Sequence, residues 1–198
     1  SYLHENLRML CSNIMSDVHS DGANENKMEV IRLSALTLAN LCMNASNHDR
    51  LSTKDLLLLF HKIISWNCEI ISESAVSQAK CIACMGLSVL CTKPNAVPDL
   101  LKLGTIPALV QCIATEIPEL SVYASFVLNK LATVESTHQE LGHHKVSSAL
   151  VRDASSNQHS VTYSIAALRR LSSNDNVRSE LIANDALDFL SNPCATED

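Results

Sequence analysis

Aromatic residues are scarce in this chain, at 4% of its 198 residues, so its core must be built from leucine, isoleucine, valine and alanine. The 46% hydrophobic content supplies these in quantity. Four glycines and five prolines are too few for the many tight turns of an all-β protein. No apolar run approaches the ~18 residues of a membrane-spanning helix. The longest candidate, DLLLLF at 55–60, reads as one buried helix face, so no membrane span is expected. Residues 1–26 carry scattered polar groups and no apolar block with a cleavage site, so no signal peptide is expected. The chain opens on Ser1 and not Met, and is expected to be a piece of a longer protein, with targeting signals outside it. A basic excess is also missing: the net charge is −6 and the pI near 5.7. Phosphate binding needs a basic field, so no nucleic-acid partner is expected. Neither G-x-S-x-G, a phosphate loop nor H-E-x-x-H occurs, and Ser, His and Asp are too numerous to single out a triad. The expectation is a non-enzymatic protein without a cofactor.

What is present is helical punctuation. In 103–131, LGTIPALVQCIATEIPELSVYASFVLNKL, Pro107 and Pro118 stand where first-turn prolines cost nothing, because those N–H groups lack partners anyway. Ala108, Leu109, Cys112 and Ile113 recur at helical spacing, as do Val122, Ser125, Phe126, Leu128, Asn129 and Leu131. Gly104 marks the break with the preceding helix. The same reading predicts helices over 2–19, 28–45, from a cap at Ser52 or Thr53 to 72, and from 73 through Leu90. Further helices are predicted over 137–142, 144–155 and 159–172, with a last short pair over 176–191 and 20–27 as a polar turn. No convincing period-two alternation occurs anywhere.

The longer helices end alike: SALTLANL (34–41), ACMGLSVL (83–90), ASFVLNKL (124–131) and SIAALRRL (164–171). Their last leucines, Leu41, Leu90, Leu131 and Leu171, are 49, 41 and 40 residues apart. Leu38, Leu87, Leu128 and Leu168 match three residues earlier, and Tyr123 matches Tyr163. A period of this size is the mark of stacked helical units, none of which can bury its apolar face alone.

The stretch NAVPDLLKLGTIPALVQCIATEIPELSVYASFVLNKLA from 95 to 132 resembles an armadillo repeat, as does NVRSELIANDALDFL from 176 to 190. ALTLANLC (35–42) looks like the end of an armadillo third helix, including Asn40. HEAT-type repeats are the near alternative. The resemblance implies an all-α fold: one armadillo-type right-handed superhelical solenoid over 1–198, with repeats 1–46, 47–94, 95–136 and 137–175 and a partial one at 176–191. It also implies that third helices line a concave groove holding ligands. The matching positions are Arg32, Leu36 and Asn40; Cys81, Met85 and Val89; Val122 or Tyr123, Phe126 and Lys130; and Thr162 or Tyr163, Ala166 and Arg170. Spacing of four puts each set on one helical face.

Family members that bind extended peptides carry an asparagine at the position of Asn40 in most repeats. Here Val89, Lys130 and Arg170 replace it, and Leu36, Met85, Phe126 and Ala166 stand where those proteins carry tryptophan. A basic nuclear-localisation peptide is therefore a poor fit. Arg32, Lys130, Arg169 and Arg170 would instead line the groove with cations, and Phe126, Tyr123 and Tyr163 would add aromatic surface. The expected partner is a protein segment, peptide or helix, carrying Asp or Glu with a few apolar anchors. The plainer reading makes Lys130 and Arg170 solvated ends of amphipathic helices. The expected function is an interaction scaffold or adaptor, with a nuclear transport adaptor, the regulatory domain of a larger enzyme and an RNA-binding solenoid as rivals.

The eight cysteines sit mostly on apolar helical faces and read as reduced core residues of a cytoplasmic or nuclear protein. Cys81 and Cys84 form a CxxC, but no second pair exists to complete a zinc site, so no metal is expected. His138, His143 and His144 read as turn-exposed. Phe60 and Trp66 read as core residues of one helix. Leu187, Phe189 and Leu190 are expected to stay half-buried at the last repeat and to offer a surface for self-association.

Overall fold

The computed structural model describes residues 5, 9, 11–14, 16, 25–47, 51, 54–67, 73–93 and 95–183. Among these, every regular element is helical and none is a strand, as the missing period-two alternation predicts. Contacts divide the chain into two compact units, 1–108 and 109–198.

The first unit contains α1 (Glu25–Met43), a 3₁₀ turn (Ala45–Asn47), α2 (Lys54–Ile64), α3 (Glu73–Leu90) and α4 (Ala96–Lys102), and it ends inside α5 (Thr105–Ile113). Helix α3 packs against both α1 and α2, and α2 also meets α4. The core face of α1 is Met28, Ile31, Ala35, Leu38 and Cys42, all fully covered. Helix α2 buries Leu56, Leu57, Leu59, Phe60, Ile63 and Ile64. The Phe60 ring lies where a Cβ on Gly86 would stand, 2.6 Å from its Cε2 and Cζ atoms. Glycine at that position is what lets α2 close on α3. Cys11 and Ile14, on described helical residues of the predicted 2–19 segment, are also buried.

Four expectations change here. Helix α1 starts at Glu25, inside the expected polar turn. Helix α2 stops at Ile64 and not at 72. Its apolar periodicity ends there, and Ser65 and Trp66 turn the chain with N–H bonds to the carbonyls of His61 and Ile63, at 3.0 and 3.2 Å. Trp66 thus lies beyond the helix and is half-exposed, not core. Leu41, aligned with three buried leucines, is 43% exposed. The buried side of α1 continues through Leu38 and Cys42, which leaves Leu41 turned away from it. The expected caps Ser52 and Thr53, residues 68–72 and the terminal Leu187, Phe189 and Leu190 lie outside the described residues.

Gly104 adopts φ +68°, and its N–H bonds to the carbonyl of Leu101 at 3.0 Å. This left-handed turn is the predicted break between α4 and α5.

The second unit takes up the remainder of α5 and adds α6 (Pro118–Leu131), a 3₁₀ turn (Glu135–Thr137), α7 (His138–His143), α8 (Val146–Ser156), α9 (Val161–Leu171) and α10 (Asp175–Ala183). Pro118 occupies the first position of α6, as predicted. Helix α9 packs between α6 and α8, and α7 and α10 meet beside α8. Leu120, Ala124, Val127, Leu128 and Leu131 of α6 join Leu150 of α8 and Ala167, Leu168 and Leu171 of α9 in the core. The exit from α6 is pinned by side chains. Thr137 donates its hydroxyl to the carbonyls of Leu131 and Val134, and the imidazole Nε2 of His138 lies 2.9 Å from the carbonyl of Ala132. His138 is therefore buried, not turn-exposed, because it completes the backbone hydrogen bonding of this turn.

Candidate partner-binding surface

The residues predicted to face a ligand divide between the two units. In the second unit they come together on the paired helices α6 and α9. Phe126 and Lys130 are one turn apart on α6, and the Lys130 ammonium lies 5.0 Å from the centre of the Phe126 ring. The ring of Tyr163 on α9 meets Phe126 edge to face, with centroids 4.8 Å apart. Both are favourable aromatic geometries, in which a cation sits near the negative face of a ring and two rings meet through their quadrupoles. Tyr123 is half-exposed one turn before Phe126.

Arg170 is positioned from both helices. Its Nη1 donates to the Oδ1 of Asn129 on α6 and, at 3.1 Å, to the carbonyl of Ala166 on its own helix. Asn129 is itself only 9% exposed. Arg169 stands exposed beside Arg170. Lys130, Arg169 and Arg170 occupy the last turns of α6 and α9, where cations complement the negative helix ends. No described carboxylate lies within ion-pair distance of these three cations. An open depression of about 700 Å³ on α9 is lined by Val161, Thr162, Ile165, Ala166, Arg169 and Arg170.

In the first unit, Arg32, Leu36 and Asn40 lie on α1, and Cys81, Met85 and Val89 on α3; none of the six is buried. Arg32 differs from the other predicted cations. Its Nε and Nη2 donate to both oxygens of Glu29 at 2.8 and 2.7 Å, so its charge is neutralised within one turn of its own helix. The hydrogen bond from Arg32 holds the Glu29 carboxyl below its ordinary value. A sequence scan for i,i+3 pairs would have found this.

Beneath the α6–α9 surface lies a cluster that the sequence reading passed over. The carboxylate of Asp153 on α8 is 3% exposed and accepts three serine hydroxyls. Ser121 bonds to Oδ1, while Ser125 and Ser164 reach Oδ2 at 2.8 and 2.7 Å. A single carboxylate thereby joins α6, α8 and α9. Ser121 and Ser125 are one turn apart, which was the available signal. Their partner lies 32 and 28 residues away in the chain.

The remaining motifs are dispersed. Cys84 is buried in α3 and Cys81 is half-exposed. Burial, with Asp55 nearby, raises the Cys11 thiol to about 11, and burial raises Cys42 to about 12, so both stay protonated at neutral pH. His143 is exposed, and His144 Nε2 lies 3.1 Å from Glu140 Oε1. Among the described residues no three His, Cys, Asp or Glu side chains converge as metal ligands, and no single helix is long and apolar enough to cross a membrane.

No protein-family model matches the chain, and no curated protein matches it. A crystal structure of an engineered protein from the Northeast Structural Genomics Consortium is similar, with a TM-score of 0.72 and 15% identity over 89% of this chain and 70% of that one. At that identity the likeness speaks for the helical fold alone.

Proposed function

We propose that the chain is an armadillo-type α-solenoid of about four repeats and a partial one. It acts without catalysis as a scaffold or adaptor that holds an acidic segment of a partner protein. One observation carries the reading. Lys130 lies by the Phe126 ring of the Phe126–Tyr163 pair and Arg170 is held across the same two helices by Asn129, both without a described carboxylate partner, in a chain whose net charge is −6. The rings offer an apolar seat, and the cations offer charge complementary to Asp or Glu. Arg170 is already oriented by Asn129 and Ala166, so a carboxylate would meet it with little loss of side-chain freedom. The same charges serve the helix ends, but that role leaves their outward hydrogen-bonding capacity unused.

Selection from a displayed library of short peptides tests this. The selected peptides should combine Asp or Glu with apolar residues, and their binding should weaken as salt is added. Lys130→Glu with Arg170→Glu should lower affinity at least about tenfold, the scale of an interface hot spot, while leaving the helical circular dichroism unchanged. Peptides indifferent to acidic content, binding unchanged in the double variant, or preferential binding of single-stranded RNA would each refute the reading.

A further inference from the structure

Arg169 and Arg170 are the one place where two of the chain's fifteen lysines and arginines stand side by side. They lie in the last turn of α9, and the chain then runs through Leu171, Ser172, Ser173 and Asn174 before α10 begins at Asp175. Ser172 thus has arginines two and three residues before it, and Ser173 has them three and four before. Leu171 and Val177 anchor the two helices in the core, while the turn at 172–174 carries no buried side chain. Ser173 is exposed, and its hydroxyl has no hydrogen-bond partner among the described residues. The Ser172 hydroxyl donates to the carbonyl of Arg169 at 2.8 Å. A third arginine comes from α10. Arg178 donates from Nε to the carbonyl of Ser172 at 3.0 Å and from Nη2 to that of Ser173 at 3.5 Å, and it also meets Asp175 at 3.0 Å.

We propose that the Ser172–Ser173 turn is a phosphorylation site for a protein kinase that selects basic residues before its serine, and that the phosphate weakens the partner surface of α6 and α9. Recognition is electrostatic: such a kinase sets carboxylates where Arg169 and Arg170 arrive, and the turn lifts to it by fraying one helix end. In the transfer, the serine Oγ bonds to the γ-phosphorus of a nucleoside triphosphate as the bond from that phosphorus to its bridging oxygen breaks. The nucleoside diphosphate leaves with the electron pair, and the hydroxyl proton passes to the kinase's base. The product carries a charge of about −1.5 to −2 among three arginines, which can hold it through charge-assisted hydrogen bonds. They offset the negative pole of α9, which by itself repels a phosphate. The effect on binding rests on the reading of α6 and α9 as the seat of an acidic segment. Arg169 and Arg170 are cations that such a segment would use, and a phosphate two or three residues away offsets their charge within about one Debye length. Ser155 is the contrast. Arg152 stands three residues before it, but Ser155 lies inside α8 with its hydroxyl turned back to the carbonyl of Val151 at 2.8 Å.

Incubation of the whole chain with ATP and the catalytic subunit of the cyclic-AMP-dependent protein kinase tests the proposal. Mass spectrometry should locate phosphate at Ser172 or Ser173 and not at Ser155. Arg169→Gln with Arg170→Gln should slow uptake at least about tenfold, and Ser172→Ala with Ser173→Ala should abolish it, both with unchanged circular dichroism. An acidic peptide selected on the unmodified chain should bind the phosphorylated chain at least about threefold more weakly, and the difference should shrink as salt is added. No phosphate in the turn, phosphate mainly elsewhere, or uptake indifferent to the two arginines would overturn the site. Equal peptide affinity before and after phosphorylation would overturn the switch. An unmodified chain that binds no acidic peptide would instead sink the function proposed above, and the switch with it, while the mass measurement still decides the site.

Discussion

Removing the Asp153 carboxylate should unsettle the whole second unit. In Asp153→Ala, three serine hydroxyls from α6 and α9 lose their shared acceptor in an interior where only 3% of Asp153 was exposed. Hydrogen bonds to a charged group contribute about 1.5–3 kcal/mol each, so a simple sum over three would reach about 4–9 kcal/mol. Two effects reduce it. The variant no longer desolvates a carboxylate, and a helical serine can turn back to the carbonyl four residues earlier, as Ser155 does to Val151. A net loss of about 3 kcal/mol remains, a large share of the ~5–15 kcal/mol typical of a domain. Asp153→Asn keeps the shape and one acceptor oxygen, and its amide can donate to a reoriented hydroxyl, so it should lose about 1–2 kcal/mol. Urea unfolding followed by circular dichroism measures both. With a slope of about 2 kcal/mol per M, the alanine midpoint should fall by roughly 1.5 M and the asparagine midpoint by roughly 0.5–1 M. Amide exchange should accelerate in α6, α8 and α9. An alanine variant within about 0.5 kcal/mol of wild type, or an asparagine variant as unstable as alanine, would refute the reasoning.

Gly86→Ala sets a Cβ 2.6 Å from the buried Phe60 ring and should cost about 1–3 kcal/mol by thermal melting. Combining it with Phe60→Leu should recover part of that loss, and a neutral Gly86→Ala would show that α2 can back away freely. His61, whose Nδ1 lies 3.3 Å from the Thr105 hydroxyl, is held below the usual 6.5 by burial and by neighbouring Lys62. The unfolded chain therefore takes up this proton at a higher pH than the folded one. The stability tied to this residue is complete above about pH 6.5 and declines as the pH falls towards the folded value. Melting temperatures from pH 8 to 5 should fall more steeply for wild type than for His61→Gln; parallel curves would remove His61 from the account.

Much of the fold was legible because local chemistry announces it. Pro118 opens α6, Gly104 takes the positive φ that breaks α4 from α5, and Leu128 and Leu131 lie in the core at helical spacing. Helix ends were less legible, as at α2, where Ser65 and Trp66 turn the chain through backbone hydrogen bonds that no side-chain pattern announces. The surface of α6 and α9 was legible in composition, since Phe126 meets Lys130 and Tyr163 and Arg170 reaches across the same two helices to Asn129. Its internal wiring was not. Asn129 holding Arg170, and Asp153 holding three serines, are contacts between residues 28 to 41 apart in the chain, or 11 apart for Ser164. A lone aspartate on an amphipathic helix reads as solvated until the neighbouring helix is placed. The exposure of Leu41 was hidden for the converse reason: the alignment groups it with three buried leucines, and only the structure shows it 43% exposed.

Ser121, Ser125 and Asn129 descend α6 at intervals of four and are all buried, so this helix faces its neighbours with a polar seam. The matching residues on α3 are Lys80, Cys84 and Ser88, and on α9 they are Val161, Ile165 and Arg169. Among helices of similar sequence, the hazard during folding is that one docks where another belongs. A helix that took the wrong berth beside α6 would bring neither Asp153 nor Arg170. It would leave Ser121, Ser125 and Asn129 without those partners, at about 1–3 kcal/mol for each polar group left bare. The seam thus works as an address: it gives α8 and α9 one berth among look-alikes.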